Sequence, residues 1–290
     1  MYRILVRELP SAAHHPETLG VKEPEEIAMK DSWQSGNPYE YYMGRWSKVV
    51  ADAFVQWLSP KDRLRWLDVG CGSGALSEAI ISTYDPEVVI AVDRSESFVH
   101  TAQQRLGTRA TCKIGDVLSL PIDDSSVDMT VSGLVLNFIP TPEKALAEMR
   151  RVTTIGGTVA GYIWDYAGKM EFLNHFWDVA IELNPGASDL HEKLRFASSN
   201  AEELSAVFIR SGIVDVEVSP IEITTNFADF DDYWKPFLGG QGPAPTYVAK
   251  LKATERDELR DALMNRLPIK QDGSIQLSAR AWAAKGSSEK

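Results

Sequence analysis

The sequence predicts an α/β fold in which helices cover both faces of a mostly parallel sheet. Short apolar runs alternate with segments of helical spacing from about residue 64 to residue 164. Runs that are apolar throughout are typical of strands buried on both faces, and the regular alternation with helices is typical of parallel sheets. A glycine-rich turn joins the first strand directly to a helix, as in folds that bind a cofactor at this point.

The glycine turn is the run LDVGCGSG at residues 67–74. Apolar residues before it predict a buried strand, and the spacing of Ala75, Leu76, Ala79 and Ile80 predicts a helix after it. Glycine permits positive φ and carries no Cβ, so backbone N–H groups at the helix N-terminus can face a polar ligand. The turn therefore predicts a cofactor cradle.

Two cofactor classes fit this turn. Gly70, Gly72 and Ala75 match the dinucleotide pattern G-x-G-x-x-G/A, and the same glycines match the G-x-G-x-G turn of S-adenosylmethionine enzymes. Asp68 favours the second class, because a carboxylate here would repel a pyrophosphate and attract an ammonium group. A carboxylate that only accepts hydrogen bonds from the turn itself is equally compatible with the pattern.

Two further acids follow predicted strands. Asp93 ends an apolar run that begins at Val88, which is where a ribose-binding carboxylate is expected, although NAD enzymes share this feature. Asp116 follows a short third strand around Cys112 and Ile114, and it can accept a hydrogen bond from an adenine amino group. This third acid favours the methyl donor over the dinucleotide.

The fourth and fifth predicted strands end in polar and aromatic residues. The fourth strand, 127–136, is followed by Asn137 and Phe138, and the fifth, 158–164, is followed by Asp165 and Tyr166. Carboxyl ends of parallel strands meet at one edge of the sheet, where ligands bind. We expect the second substrate to bind in this crevice.

Five segments in this order resemble the class I S-adenosylmethionine-dependent methyltransferases. The resemblance is to the small-molecule branch (methyltransferase type 11), which includes the ubiquinone/menaquinone-type C-methyltransferases. The segments are LDVGCGSG (67–74), AVDRS (91–95), GDVLSLP (115–121), VDMTVSGLVLNF (127–138) and EMRRVTTIGGTVAGYIWDY (148–166).

The resemblance implies a Rossmann-like, doubly wound, seven-stranded sheet in the order 3-2-1-4-5-7-6 with the last strand antiparallel. It also implies an N-terminal lid helix, an insertion before the last strand, and S-adenosyl-L-methionine as the cofactor. In the lid region, Arg45 is placed where it can grip the methionine carboxylate. The cofactor-binding residues that we expect on this basis are Arg45, Asp68, Gly70, Cys71, Gly72, Gly74, Asp93, Arg94, Asp116, Val117 and Asn137.

Methyl transfer from a sulfonium is an in-line displacement, so positioning is the main task of the enzyme. Candidates to orient or deprotonate the acceptor are Tyr42, Asn137, Asp165 and Tyr166. Many related enzymes carry histidines after strand four, but this chain has Leu136-Asn137-Phe138 there. The alternatives are an NAD(P)-dependent oxidoreductase and a non-catalytic S-adenosylmethionine-binding protein.

The amino-acid composition limits the classes of partner that we expect for this chain. The net charge of −11 over 290 residues argues against a nucleic-acid partner, which would need clustered Lys and Arg. Two cysteines form neither a disulfide framework nor a metal cluster, so we expect a cytoplasmic protein without a bound metal. No apolar run reaches the ~20 residues of a membrane span. The expected partner is a small-molecule methyl acceptor, and no protein partner is inferred.

The domain organisation follows from periodicity. Residues 1–36 are polar with little periodicity and predict a flexible tail, whereas residues 37–290 predict a single methyltransferase domain. Within this domain, residues 226–271 separate the last two strands and are too long for a hairpin turn. We expect this insertion to act as a cap, with the glycine-rich loop at 239–243 covering the crevice.

Overall fold

The computed structural model describes residues 40–239 and 242–289. The predicted tail, 1–36, lies outside the described residues, and so do Gly240 and Gln241 of the predicted covering loop.

The described residues form a seven-stranded sheet in the order β3-β2-β1-β4-β5-β7-β6. Strands β1 to β5 run parallel, and β7 is antiparallel to both of its neighbours. This confirms the predicted strand order and the predicted antiparallel strand. The strands are β1 (Arg65–Val69), β2 (Val88–Asp93), β3 (Thr111–Ile114), β4 (Val127–Gly133), β5 (Thr153–Trp164), β6 (Ile213–Phe227) and β7 (Ile275–Ser288).

Helices connect the strands and cover the sheet. They are α1 (Arg45–Leu58), α2 (Ala75–Thr83), α3 (Glu96–Leu106), α4 (Pro142–Val152), α5 (Glu171–Leu183), α6 (Glu192–Arg195), α7 (Ala201–Arg210), α8 (Phe230–Trp234), α9 (Pro243–Lys250) and α10 (Ala253–Arg266). A π-helical turn (Glu40–Gly44) leads into α1, and a 3₁₀ turn (Leu136–Phe138) follows β4. None of the described helices combines the length and the apolar character that a bilayer crossing requires.

The sheet separates two hydrophobic cores. Trp66 of β1 packs into the core that also contains Phe54 of α1 and Phe176 of α5, whereas its neighbour Leu67 packs into the core with Leu146 of α4. Successive side chains of a strand point to opposite faces. Burial of both faces therefore explains why β1 is apolar without alternation.

Strand β4 ends earlier than the sequence predicts. The expected strand reached residue 136, but the strand ends at Gly133 because Leu134 adopts a positive φ of 62°. This conformation cannot continue an extended strand. The N–H of Leu134 instead donates a hydrogen bond to the Tyr162 carbonyl at 2.8 Å. The chain thus turns at the end of β4, and Asn137 lies in a 3₁₀ turn.

The predicted insertion packs closely on α5. It leaves the sheet after Phe227, which is paired with Ile275 at the start of β7, and it contains α8, α9 and α10. Phe237 stacks on Phe176 with 4.5 Å between ring centroids. The Tyr233 hydroxyl donates a hydrogen bond to the Phe172 carbonyl at 2.8 Å. The insertion therefore shares the core of the sheet.

Candidate cofactor and acceptor site

A cavity of about 240 Å³ opens at the carboxyl ends of β1, β2, β4 and β5. This is the edge of a parallel sheet at which ligands are expected. The polar lining includes Asp68, Asp93, Arg94, Ser47, Ser73 and Ser95. The aromatic lining consists of Phe98, Phe138, Tyr162, Trp164 and Tyr166.

The floor of the cavity is the glycine turn. Gly70, Gly72 and Gly74 have φ values of 72°, 51° and 87°, a region that L side chains rarely adopt. A Cβ at Gly70 would lie 2.6 Å from a methyl group of Val135. The N–H groups of Gly70 and Cys71 donate to the Val92 carbonyl at 2.8 and 3.0 Å, which fixes the turn against β2. The absence of side chains leaves room for a ligand over the turn.

Asp68 is the buried charged group of the site. Its side chain is 1% exposed, and Oδ2 accepts hydrogen bonds from the Ser77 N–H at 3.1 Å and the Ser77 hydroxyl at 2.7 Å. Oδ1 is buried and has no hydrogen-bond partner among the described residues. Burial raises the pKa of Asp68 to about 7. One oxygen therefore supports the helix start, and the other fits a donor such as an ammonium group.

Asp93 ties the glycine turn to β2. Its Oδ2 accepts from the Gly72 N–H at 3.0 Å, and its Oδ1 accepts from the Ser95 N–H at 2.8 Å. Each carboxylate oxygen has a further lone pair, so Asp93 can also accept hydrogen bonds from a vicinal diol. Cys71 lies between the two acids, and burial raises the pKa of its thiol, which stays neutral.

These features fit S-adenosylmethionine. The unpartnered Oδ1 of Asp68 suits the ammonium group of an amino acid, and Asp93 at the end of the next strand suits a ribose. A pyrophosphate would instead face two carboxylates across the glycine turn, which is unfavourable. The carboxylate acceptors of the cavity thus match the sulfonium nucleoside better than a dinucleotide.

Five of the expected cofactor residues lie outside the cavity lining, and Asp116, Val117 and Gly74 are three of them. Asp116 is exposed, and its Oδ1 accepts from the Leu118 N–H at 2.8 Å. Its neighbour Val117 does not line the cavity either, and Gly74 packs against Ala102 behind the turn. A contact between Asp116 and an adenine ring stays a prediction.

Arg45 points to the insertion and not into the cavity. Its Nη1 donates to both oxygens of Asp232, at 2.9 and 3.1 Å. The guanidinium also lies 4.3 Å from the ring centroid of Trp46 and 4.6 Å from that of Phe227. Asp232 and two aromatic rings contact the guanidinium in this structure, and the expected grip on a methionine carboxylate stays a prediction. Arg45 instead joins α1 to the insertion.

We expect Arg45 and Asp232 to be energetically coupled. A double-mutant cycle with Arg45→Met and Asp232→Asn should give a coupling of about 1 kcal/mol, since both groups are one-third exposed and solvent screens the pair. Urea unfolding at low and high salt measures it, and high salt should reduce it. Arg63 and Asp85 form a matched control pair that is mostly exposed and 3.5 Å apart. Equal coupling in the two cycles would contradict the prediction.

The four residues that we expect to orient or deprotonate the methyl acceptor divide into two groups. Tyr166 lines the cofactor cavity, and Tyr42 and Tyr166 both line a smaller adjoining cavity. Asn137 lines neither cavity, although both polar atoms of its amide are buried without a hydrogen-bond partner in the described structure.

Asp165 is held away from both cavities. Its side chain is 3% exposed, and Oδ2 accepts from Arg280 Nε at 2.7 Å and Nη2 at 2.6 Å. Oδ1 accepts from the Gly168 N–H at 2.8 Å. Arg280 of β7 therefore engages this carboxylate, Asp165 is absent from the lining of both cavities, and its role toward an acceptor stays a prediction.

Phe196 and Glu192 line the smaller cavity and were missed by the sequence analysis. The ring of Phe196 stacks on Tyr166 with 5.0 Å between centroids, and it meets the edge of Phe138 at 5.2 Å. Glu192 is buried beside them. Both residues lie in or next to α6, a single turn that is too short for a periodic signal.

Comparisons with known proteins agree with this geometry. Residues 67–161 match the methyltransferase domain family. A demethylmenaquinone methyltransferase of Staphylococcus aureus is 35% identical over 118 residues, which cover 39% of this chain and 48% of that protein. The match begins at Leu67 in β1 and ends at Gly161 in β5, so it contains the glycine turn.

Other relatives differ in the activities that their names describe. The ubiquinone/menaquinone biosynthesis C-methyltransferase UbiE of Dinoroseobacter shibae is 33% identical and covers 38% of this chain and 46% of that protein. A malonyl-[acyl-carrier protein] O-methyltransferase of Geobacter sulfurreducens is 27% identical and covers 59% of this chain and 62% of that protein. The matches span about half the length of these curated relatives.

Solved structures share the fold of this chain. Phosphoethanolamine N-methyltransferase 2 of Haemonchus contortus, in complex with S-adenosyl-L-methionine, aligns with a TM-score of 0.56 and 16% identity, over 92% of this chain and 60% of that one. The YcgJ protein of Bacillus subtilis aligns with a TM-score of 0.53 and 18% identity, over 85% of this chain and 99% of that one.

Proposed function

We propose that the chain is an S-adenosylmethionine-dependent methyltransferase that acts on a small-molecule acceptor by in-line methyl transfer. The single observation that carries the proposal is the buried carboxylate of Asp68, whose Oδ1 has no partner in the described structure and lies at the glycine turn of the cavity. Burial of a carboxylate oxygen without a hydrogen-bond partner costs free energy, and a ligand that provides a hydrogen-bond donor offsets this cost. An amino-acid ammonium group provides both the charge and the hydrogen bond.

The residues of the site have separate tasks in this proposal. When bound, the cofactor supplies an activated methyl group on a sulfonium. Asp68 binds the amino-acid end, Asp93 binds the ribose, and Phe138 and Tyr166 form an apolar wall that excludes water from the acceptor end. Aromatic ring faces also tolerate a neighbouring cation. The contribution of the protein is mostly the positioning of donor and acceptor.

The proposal extends to the whole chain. Residues 37–290 act as one domain in it, with the insertion as the cap over the acceptor. A nucleic-acid acceptor is disfavoured by the net charge of −11. A cytoplasmic location is supported by two cysteines that are both free thiols.

Calorimetric titration tests the cofactor. We expect S-adenosylhomocysteine and S-adenosylmethionine to bind and NADH not to bind. The formation of S-adenosylhomocysteine on a panel of metabolites then tests turnover. Binding of NADH alone would indicate the oxidoreductase alternative, and binding of the nucleoside without turnover on any acceptor would indicate a non-catalytic binding protein.

Cofactor affinity should depend on pH through Asp68. The raised pKa of about 7 means that this carboxyl is mostly protonated at pH 6 and mostly ionised at pH 8. The ammonium group of the ligand prefers the ionised form, so affinity should rise with pH, by about tenfold between these values. At pH 6 binding should release a proton. Titrations in phosphate and in imidazole buffer measure this release as a difference in apparent enthalpy, and identical enthalpies would contradict the assignment.

A further inference from the structure

The turn after β4 contains a buried residue with a strained backbone. Leu134 has a φ of 62°, and the residue is 8% exposed. A positive φ is uncommon for a bulky apolar residue, and such outliers cluster at functional sites. Leu134 lines the cofactor cavity. The other non-glycine residues with a positive φ in the described part of the chain are all exposed, and they are Ser59, Arg63, Ser125 and Asp215.

Contacts on both faces of the sheet hold this turn in place. The N–H of Leu134 donates a hydrogen bond to the Tyr162 carbonyl at 2.8 Å, and its side chain belongs to the core that contains Phe54. Leu136 belongs to the opposite core, and its Cδ1 lies 3.1 Å from the position that a Cβ of Gly161 would occupy. Strain of this kind persists only when the surrounding structure fixes it. The conformation of Leu134 is therefore imposed by its neighbours.

The strained residue places Val135 over the glycine turn. The two methyl groups of Val135 lie 2.6 and 2.9 Å from the position that a Cβ of Gly70 would occupy. Val135 also lines the cofactor cavity, and its carbonyl accepts a hydrogen bond from the Phe138 N–H at 2.9 Å. With an extended backbone at residue 134, β4 would continue along β5 and carry Val135 away from Gly70. The left-handed conformation thus forms the wall of the cavity at the end of β4.

Val135 lies on the same side of the cavity as Asp68. Strand β4 is the neighbour of β1, which contains Asp68 and leads directly into Gly70. Asp93 ends β2, which lies on the other side of β1. In the proposed function, Asp68 binds the amino-acid end of the cofactor and Asp93 binds the ribose. Val135 is therefore part of the wall on the amino-acid side and not on the ribose side.

We propose that Leu134 is a positioning residue for the cofactor, because its left-handed backbone holds Val135 against Gly70 beside the site of the amino-acid end. This inference rests on the proposed methyltransferase function, since it concerns the same cavity. Leu134 acts through Val135 and not through a contact of its own side chain with the ligand. The backbone conformation at this position, and not the size of the side chain, determines how tightly the amino-acid end is held.

The test uses two ligands that differ at the amino-acid end. S-adenosylhomocysteine carries this end, whereas 5′-methylthioadenosine keeps the adenosine and the thioether sulfur but lacks it. Full-length protein is titrated with each ligand by calorimetry at pH 8, and the measured quantity is the ratio of the two affinities. Loss of folded protein lowers both affinities by the same factor, so it leaves this ratio unchanged.

Two substitutions at residue 134 separate the backbone from the side chain. Leu134→Val keeps a buried apolar side chain, but β-branched residues are genuine outliers at positive φ. It should lower the affinity ratio by at least about tenfold, which corresponds to the free energy that a left-handed backbone costs an L side chain. Leu134→Gly removes the side chain but adopts the left-handed conformation readily, so its ratio should stay within about threefold of the wild type.

Ser125→Val is the matched control for Leu134→Val. Ser125 has a φ of 50°, is exposed and lies outside the lining of the cofactor cavity. The variant places the same β-branched residue at a positive φ, so it should also be less stable to urea. Its ratio of affinities should remain within about twofold of the wild type, because the two sites are independent.

The outcomes separate this inference from the proposed function. An unchanged ratio in Leu134→Val, or a ratio that falls as far in Leu134→Gly, overturns the role of Leu134, and so does a wild type that binds both ligands equally. A wild type that binds neither ligand overturns the proposed function itself. If Leu134→Val does not fold, Leu134→Ala replaces it, because alanine also carries a Cβ, and its ratio should be at least about threefold below that of Leu134→Gly.

Discussion

Replacement of Gly70 by alanine is expected to destabilise the protein by roughly 3 kcal/mol and to abolish cofactor binding. The φ of 72° at this position costs an L side chain about 1–2 kcal/mol. The added Cβ would also lie 2.6 and 2.9 Å from the two methyl groups of Val135, and overpacking of this kind costs a further 1–3 kcal/mol. Urea unfolding and titration with S-adenosylhomocysteine measure the two effects.

Gly273→Ala is the matched control for Gly70→Ala. Gly273 has a φ of 85°, and a Cβ there would have no atom within 4 Å. The substitution should cost only the conformational strain of about 1–2 kcal/mol, and the affinity for S-adenosylhomocysteine should not change. Equal destabilisation by both substitutions would show that the contact with Val135 adds nothing.

Asp68→Asn is expected to weaken S-adenosylhomocysteine binding about 100-fold at pH 8, because loss of a buried charged partner costs 2–5 kcal/mol. Asparagine keeps the shape of the side chain and an oxygen acceptor for Ser77. The variant should also lose the pH dependence of binding between pH 6 and 8. Titration calorimetry at both pH values measures this, and an unchanged affinity would remove the main support for the proposed function.

Asp68→Asn should weaken the binding of S-adenosylhomocysteine, but it should raise the free energy of unfolding at pH values above about 7. The folded state raises the pKa of Asp68 to about 7, so the folded protein holds a proton that the unfolded chain releases near pH 4. The contribution of this group to stability is therefore full at low pH and is lost as pH rises from about 4 to 7. Asp68→Asn should remove this slope from the free energy of unfolding.

Asp128→Asn is the control for Asp68→Asn. Asp128 pairs with Arg65 at 2.7 Å and lies outside the cavity lining. The hydrogen bond from Arg65 lowers the pKa of Asp128, which is the reverse of the shift at Asp68. At pH values above the usual pKa of a carboxyl group, Asp128→Asn should be less stable than the wild type. It should bind S-adenosylhomocysteine like the wild type.

Most elements of the fold could be predicted from local patterns in the sequence alone. The strand before the glycine turn is mostly apolar because each of its faces lies against a different core. The turn can be recognised in the sequence because glycine is the residue that readily adopts its φ values. These constraints act within a few residues, so they are visible in the chain. The strand order, by contrast, came from the resemblance to a family and not from the residues themselves.

The features that the sequence did not reveal depend on distant partners or on single backbone angles. Arg45 pairs with Asp232, which lies 187 residues away, and Asp165 pairs with Arg280, which lies 115 residues away. Pairs that are so far apart in the chain leave no periodic pattern in the sequence. The positive φ of Leu134 ends β4 at Gly133, although leucine has no preference for that region. Glu192 lies in a single helical turn and becomes notable only through its neighbours in space.

The insertion between β6 and β7 leaves and rejoins the sheet at a single place. Phe227 and Ile275 are opposite each other in the ladder of β6 and β7, so the polypeptide departs from the sheet and rejoins it at one point. The entropic cost of such an excursion grows only slowly with its length. A change in the length of the insertion therefore leaves the ladder of β6 and β7 in register, provided that its contacts with Phe172 and Phe176 of α5 are kept.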